Sequence, residues 1–354
     1  MTKDFFNTQI LDWYSRNKRD LPWRQTRNPY HIWLSEIILQ QTRVSQGLPY
    51  YLKFVNEYPT VHDLANADER DVLRVWQGLG YYSRARNLHK SAKIISENHD
   101  GNFPNTFKDL LKLPGIGNYT AAAIASIAFS EKVAVVDGNV YRVLSRVFGI
   151  DDDISSGKGQ KVFQEKANEL ISEKHPDEFN QAIMEFGALQ CVPKSPDCSL
   201  CPFSENCFAQ KNGMQPQLPV KIKKVKVRKR YFNYIAFEID GKLALKERRI
   251  SDIWRGLYDF HLIETEQALN WEELLGADVI GLIKEDIYSV DESTEYKHIL
   301  THQRIFARFY TIKLKKGADI GILKDCGLAF YTLDEVLDLP KPVLVSTYLN
   351  ETFF

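Results

Sequence analysis

The sequence predicts a multidomain chain, an all-α front part followed by a separate α+β domain. Three observations carry that reading. Apolar residues recur at helical spacing from residue 5 to residue 189, with no hairpin signal before residue 230. At Tyr231 the pattern changes to strand-like runs. Residues 211–230 form a joint between the two, with Gly and Pro at its start and a strongly basic end. At roughly 150 residues per domain, 354 residues hold two or three domains.

Residues 5–130 read as successive helices, and one spans His31–Gln46 (HIWLSEIILQQTRVSQ), apolar at helical spacing. Leu64–Leu79 follows, capped near Asn66 or Asp68. Ser83–Glu97 and Phe107–Leu113 come next. Thr120–Phe129 (TAAAIASIAF) is apolar all round, which predicts a buried helix. Helices over Asn139–Phe148, Lys158–Lys174 and Glu178–Leu189 complete the front part. In the rear part YFNYIAFEI, KLALKER and IFARFYTIKLK read as strands, and Asp240–Gly241 as a hairpin turn. TLDEVLDL and PVLVSTYLNETFF read as helices.

Composition excludes several classes. Hydrophobic residues make up 44% and charged residues 26%, which argues against disorder and collagen-like architecture. No apolar run reaches the roughly 18 residues of a membrane span. The N-terminus lacks the apolar core of a signal peptide, so a cytoplasmic location is expected. Net charge is zero but uneven. Residues 1–230 hold 32 Lys and Arg against 25 Asp and Glu, a net of +7; residues 231–354 hold 14 against 21, a net of −7. The front part suits a polyanion, although a solvated basic linker accounts for most of residues 211–230.

Cys191, Cys198, Cys201 and Cys207 follow the spacing C-x6-C-x2-C-x5-C. Five cysteines in the chain are too few for a disulfide scaffold, and four this close in a reducing compartment point to a metal. Tetrahedral thiolates suit zinc or an iron–sulfur cluster. Zinc ribbons use two C-x2-C knuckles and here there is one, so the uneven spacing favours a [4Fe–4S] cluster. Cys326 stands apart and reads as structural.

Residues 113–121 read LPGIGNYTA. Gly115 and Gly117 make a tight turn between helices, whose bare backbone N–H groups can approach a phosphate beside a helix N-terminus. Then comes Asp137 in VDGNVYRVLSR, which also reads as a helix N-cap. The two readings are compatible, because backbone N–H groups favour the ionised carboxylate. Glu36 lies in WLSEIILQQTRV. A helical Glu usually faces solvent, but Ile37, Ile38 and Leu39 leave it little polar face. A carboxyl among apolar walls has a raised pKa and can carry a proton at neutral pH.

The cysteine spacing, the hairpin and the Asp after it resemble the helix-hairpin-helix DNA glycosylases, the endonuclease III and MutY group, over residues 1–210. The resemblance implies a helix-hairpin-helix core over 21–132, an iron–sulfur cluster domain from 1–20 and 133–210, a linker over 211–230 and a further domain over 231–354. At the seventh position of the hairpin motif the strand-cutting branch carries a Schiff-base Lys; here it is Tyr119, and a phenol cannot form that imine. The segment around Glu36 resembles that of MutY-type adenine glycosylases. By that resemblance Glu36 is the general acid, Asp137 stabilises the oxocarbenium-like sugar, and Asn139 orients water. Gln41 resembles the residue that fills the gap left by a flipped adenine, with Thr42 beside it, and Tyr81, near Leu79, the aromatic wedge at the opposite base. Trp23, Arg24, Leu39 and Gln181 match the adenine pocket.

The rear domain resembles the Nudix-like domain that reads 8-oxoguanine in this family. The metal-binding helix of a working Nudix hydrolase is missing; the nearest piece is GLYDFHLIETEQALNWEELLG. The family's Phe-Ser-His turn corresponds to Leu300-Thr301-His302. Thr301 keeps a hydroxyl and His302 is retained, while Leu300 replaces the aromatic. The implied activity is removal of adenine opposite 8-oxoguanine or guanine in double-stranded DNA, in base excision repair, by a monomer holding a [4Fe–4S] cluster. The alternatives are an endonuclease III-like glycosylase and lyase, or a non-catalytic iron–sulfur DNA-binding protein.

Overall fold

The computed structural model describes residues 1–222, 226–276 and 278–354. Residues 223–225, within the expected joint, lie outside the described residues. The contacts divide the chain into two units, 1–66 with 87–223 and 67–86 with 224–354. No helix among the described residues is long and apolar enough to cross a membrane.

The first unit is helical. Asn118–Phe129 is its centre, with Ala121 to Ala125 at most 1% exposed, as a helix apolar on every side requires. Against it pack Pro29–Leu39 and Pro176–Leu189. The first helix, Lys3–Asn17, buries Phe6, whose ring stacks on Phe203 at 4.9 Å. That contact ties the start of the chain to the cysteine-bearing loop.

Several expected boundaries move. The helix expected over His31–Gln46 ends at Leu39, and a second helix, Val44–Glu57, begins beyond a turn. Gln40 turns inward to bond Thr120 Oγ1 at 3.1 Å, and Gln41 takes a left-handed backbone with φ of 57°. No Gly or Pro marks that break, so the apolar period runs across it unsignalled. Leu64–Leu79 is likewise two helices, Val61–Asn66 and Glu69–Val75, with Asp68 capping the second. Phe107–Leu113 shortens to Phe107–Leu110, and Lys158–Lys174 becomes Gly157–Leu170. The remaining front helices stand within a few residues of their expected places.

The second unit is a mixed sheet. Its strands are β1 (Arg228–Ile239), β2 (Lys242–Glu247), β3 (Tyr258–Asp259), β4 (His261–Thr265), β5 (Ile287–Glu292), β6 (Tyr296–Ile299), β7 (Gln303–Leu314) and β8 (Ala329–Tyr331). The main path runs β3-β2-β1-β7-β5. β1 and β7 are parallel, in register from Arg228–Gln303 to Glu238–Lys313, and the other pairs are antiparallel. The β1–β2 turn is Asp240–Gly241, with φ of 49° and 72°, the geometry a tight hairpin demands. β1 begins at Arg228, three residues before the expected start, because β7 offers it a full-length parallel partner. The helix Val343–Thr352 covers the sheet, and its Tyr348 ring stacks on Phe309 at 4.0 Å.

Residues 67–86 belong to this second unit. Gln77 donates from Nε2 to Ser346 Oγ at 3.2 Å and accepts the Lys341 N–H at 3.1 Å. Arg86 donates to the Arg255 carbonyl at 2.7 Å. These bonds fasten the Tyr81 turn to the C-terminal part of the chain.

Candidate active site

In the first unit a cavity of about 740 Å³ gathers all the expected catalytic and adenine-pocket residues together with Thr42: Glu36, Tyr119, Asp137, Asn139, Trp23, Arg24, Leu39, Thr42 and Gln181 all line it. Gln41 stands exposed at the turn beside it, outside the lining.

Glu36 reaches the cavity from Pro29–Leu39, whose neighbouring Ser35, Ile37 and Ile38 are buried. Burial pushes its carboxyl up to about 7; a hydrogen bond from Tyr119 and the charge of Arg24 pull the other way, while Asp137 adds to the rise. Met184 Sδ, at 3.3 Å, is a second acceptor within reach of the single Tyr119 hydroxyl proton. Asp137 is the N-cap of Gly138–Phe148. Its Oδ1 accepts from the N–H groups of Asn139 at 2.9 Å and Val140 at 2.8 Å, and its Oδ2 accepts Asn139 Nδ2 at 2.8 Å. Burial raises its pKa, and those hydrogen bonds with the Arg142 charge resist the rise. Asn139 is itself fixed, its Oδ1 accepting from Arg142 at 2.8 Å. A Cβ on Gly187 would lie 2.7 Å from Asn139 Cβ, so glycine there lets the two helices close on the site.

One group the sequence reading missed is Glu185, 1% exposed. Its Oε1 accepts from Arg24 at 2.8 Å and its Oε2 at 2.7 Å, and Arg19 binds the same carboxylate at 2.9 and 2.5 Å. Burial would raise it; the bonds from Arg24 and Arg19 outweigh burial and hold it at about 2. A signal existed: Gln181 and Glu185 are four apart on one helix and so share a face.

Gly115 and Gly117 lie on the hairpin, apart from the cavity. Gly115 has φ of 77°, and a Cβ there would meet Asn87 Cβ at 2.6 Å. Gly117 caps Asn118–Phe129 with open space above it, leaving that helix's first N–H groups accessible.

The four cysteines line one small cavity with Arg146. Arg146 is 2% exposed and stitches the loop together through the carbonyls of Val192, Pro193, Gln215 and Leu218. Its Nη1 also lies 3.6 Å from Cys191 Sγ. Burial pushes Cys201 up to about 12 and raises Cys191 and Cys207. A thiolate set so deep needs positive charge beside it, and four convergent sulfurs are a donor set that suits a metal cluster. Among the described residues no trio of His, Cys, Asp or Glu is set to hold a single metal ion.

A second cavity, of about 530 Å³, lies wholly within the second unit, and Leu79, Tyr81, Thr301 and His302 line it. The Tyr81 hydroxyl and Thr301 Oγ1 are hydrogen-bonded at 2.6 Å. Tyr81 holds φ of 49°, so two of the expected DNA-contacting side chains, Gln41 and Tyr81, project from left-handed backbone. Such strain in non-glycine residues gathers at functional sites. Arg230, missed in the sequence, organises the walls. It binds Asp252 and Glu264, and its Nη1 donates to Gln303 Oε1 at 3.0 Å. Asp252 and Gln303 both line the cavity.

Comparison with known proteins assigns these features. Residues 34–173 match the HhH-GPD superfamily base excision DNA repair protein family, and residues 234–351 match the NUDIX domain. An adenine DNA glycosylase of Buchnera aphidicola subsp. Baizongia pistaciae is 33% identical over 97% of this chain and 96% of its own. The chain belongs to the adenine DNA glycosylase family. It is an enzyme, a hydrolase of N-glycosyl bonds. The human adenine DNA glycosylase is 44% identical over 60% of this chain and 41% of its own. Among solved structures, a thermostable thymine-DNA glycosylase aligns at a TM-score of 0.54 and 31% identity, over 59% of this chain and 97% of that one. An endonuclease III–DNA complex aligns at 0.52 and 23%, over 61% and 99%, and so shares the fold. An adenine glycosylase needs a pocket for an extruded base and groups to protonate it. The first cavity has the size for the base, and the half-buried Glu36, with its carboxyl pushed up to about 7, lines it.

Proposed function

We propose that this glycosylase removes adenine paired with 8-oxoguanine, and with guanine, by monofunctional hydrolysis in the first cavity. The reading rests on one observation: Glu36 and Asp137 share that cavity with Tyr119, where a lyase would need an amine. Glu36 donates its proton to adenine N7. The C1′–N9 bond then breaks with its electron pair going to the base, which leaves neutral. Asp137 stabilises the cationic sugar, and its cap hydrogen bonds favour the charge this requires. Water adds at C1′ beside Asn139, and its proton restores Glu36. Trp23, Arg24, Leu39 and Gln181 enclose the base.

The duplex is held through the hairpin N–H groups at Gly115–Gly117 and through Gln41 and Thr42. Tyr81, Leu79, Thr301 and His302 read the opposite base in the second cavity. Cys191, Cys198, Cys201 and Cys207 hold a [4Fe–4S] cluster, which when bound stiffens the loop and takes no part in base removal. The enzyme acts as a monomer in the cytoplasm, on nucleoid DNA.

The test is single-turnover release of adenine from duplexes carrying A:8-oxoguanine, A:G and A:T, with thymine glycol as control. Fast release from A:8-oxoguanine, with strand cutting only after alkali, is the expected result. Activity on thymine glycol alone, with direct cutting and a borohydride-trapped adduct, overturns it.

A further inference from the structure

Three cations line the catalytic cavity besides rim-exposed Arg43: Arg19, Arg24 and Arg142. Arg142 is occupied by Asn139 Oδ1 and by the carbonyls of Gly138, Gly187 and Cys191. Arg24 is the cation whose charge reaches Glu36; Tyr119 and Asp137 are the other titratable groups acting on it. An arginine loose in a dry cavity with a carboxyl would pair with it and take its proton away. Arg24 is not loose. Both terminal nitrogens engage Glu185, and Nη1 also donates to the Arg19 carbonyl at 2.9 Å. Arg19 fixes Glu185 from the other side through Nε, Nη2 and its backbone N–H at 2.9 Å.

We propose that Glu185 is a positioning residue that holds Arg24 away from Glu36 and so keeps the general acid without a counter-ion. The proposal deepens the assignment of Glu36 as the acid and rests on it. Bidentate geometry is what the role requires, because a single bond would leave one Arg24 nitrogen free to turn towards Glu36. A neutral amide at 185 loses the charge that makes the clamp outcompete Glu36.

The experiment follows Glu36 directly, by carbon NMR of carboxyl-labelled glutamate in the full-length protein, assigned with Glu36→Gln. The pH profile of single-turnover adenine release is measured in parallel. In Glu185→Gln the Glu36 midpoint is expected to fall by about 1 to 3 pH units. Release at pH 7.5 falls about tenfold for each unit, and lowering the pH recovers it. In an Arg24→Gln background the same change at 185 no longer lowers the midpoint. An unmoved midpoint in Glu185→Gln overturns the proposal. A midpoint that falls while the release profile stays put keeps the electrostatic coupling and overturns Glu36 as the acid. Should Glu185→Gln fail to fold, Glu185→Asp stands in for it: the shorter carboxylate cannot reach both Arg24 nitrogens, so the Glu36 midpoint must fall, and an unmoved midpoint overturns the proposal.

Discussion

The two cavities treat buried charge in opposite ways. In the first unit, Glu36 and Asp137 face a common space while Arg24, whose charge reaches Glu36, is bound to another carboxylate. Both carboxyls are raised by burial. In the second unit the carboxylates beside the cavity are fully matched. Asp252 takes bonds from both Arg230 and Arg248, and although burial raises it, the bond from Arg230 and its neighbours hold it low. A general acid must still carry its proton at neutral pH, so its surroundings withhold compensation from the carboxylate. A surface that reads a base must keep its shape, so its charges are locked in pairs. Under the proposed function the contrast separates chemistry from recognition, and substitutions can break it at either end.

The largest effect is expected at Asp137. Asn is as good an N-cap as Asp, so Asp137→Asn keeps the helix start while removing the charge that faces the sugar. Adenine release should fall about 10³-fold or more, with duplex binding retained. Loss of binding together with release would mean that Asp137 serves chiefly as a cap.

Glu36→Gln comes next, with release falling by about 10² to 10⁴-fold. It carries a stability signature as well. The carboxyl titrates at an ordinary 4.5 in the unfolded chain and at about 7 in the fold. The folded state therefore holds the proton more tightly. The stability this gives is full below 4.5 and is lost as pH rises through 7. Glutamine stays neutral throughout, so the variant should match wild type near pH 4 and exceed it above pH 8, by ~2–3 kcal/mol in denaturant melts. Equal stability across that window would show that Glu36 is well solvated.

Arg230→Met tests the recognition side. It leaves Asp252 with Arg248 alone and Glu264 with only the exposed Arg228 at 3.6 Å, and it frees Gln303. Because each carboxylate keeps one arginine, the loss is about 1–3 kcal/mol. Preference for 8-oxoguanine over guanine should drop more than the rate at A:G. An equal drop in both would erase the division of labour between the cavities.

The elements that the sequence foretold are those governed by local rules. The apolar helix at Asn118–Phe129, the Asp137 cap and the Asp240–Gly241 turn each need nothing beyond their own residues. What the sequence did not announce depends on distant partners. The break after Leu39 is set by a bond from Gln40 to Thr120, eighty residues on. Glu185 gains its meaning from Arg19 and Arg24, and Arg230 from Asp252, Glu264 and Gln303. Residues 67–86 continue the helical pattern, and their bonds to residues 255, 341 and 346 have no local signature. Tyr81 and Thr301 were each legible singly, whereas their contact joins positions 220 apart.

That contact sets the smallest and most pointed prediction. The Thr301 and Tyr81 hydroxyls share one hydrogen bond, in which either can donate, and Tyr81 is held in left-handed backbone. An 8-oxoguanine seated in this cavity would compete for the Thr301 hydroxyl, so reading the lesion means exchanging one hydrogen bond for another. The net gain from such an exchange is about 0.5–1.5 kcal/mol. Thr301→Ala should therefore reduce the preference for 8-oxoguanine over guanine by roughly 2- to 10-fold, and Thr301→Ser should restore it. Tyr81→Phe frees the hydroxyl from its partner without removing it. If Thr301 reads the lesion, that variant should keep the preference or sharpen it. A loss as large as that in Thr301→Ala would show that the pair acts as one structural tie, and that the lesion is read from another wall of the cavity.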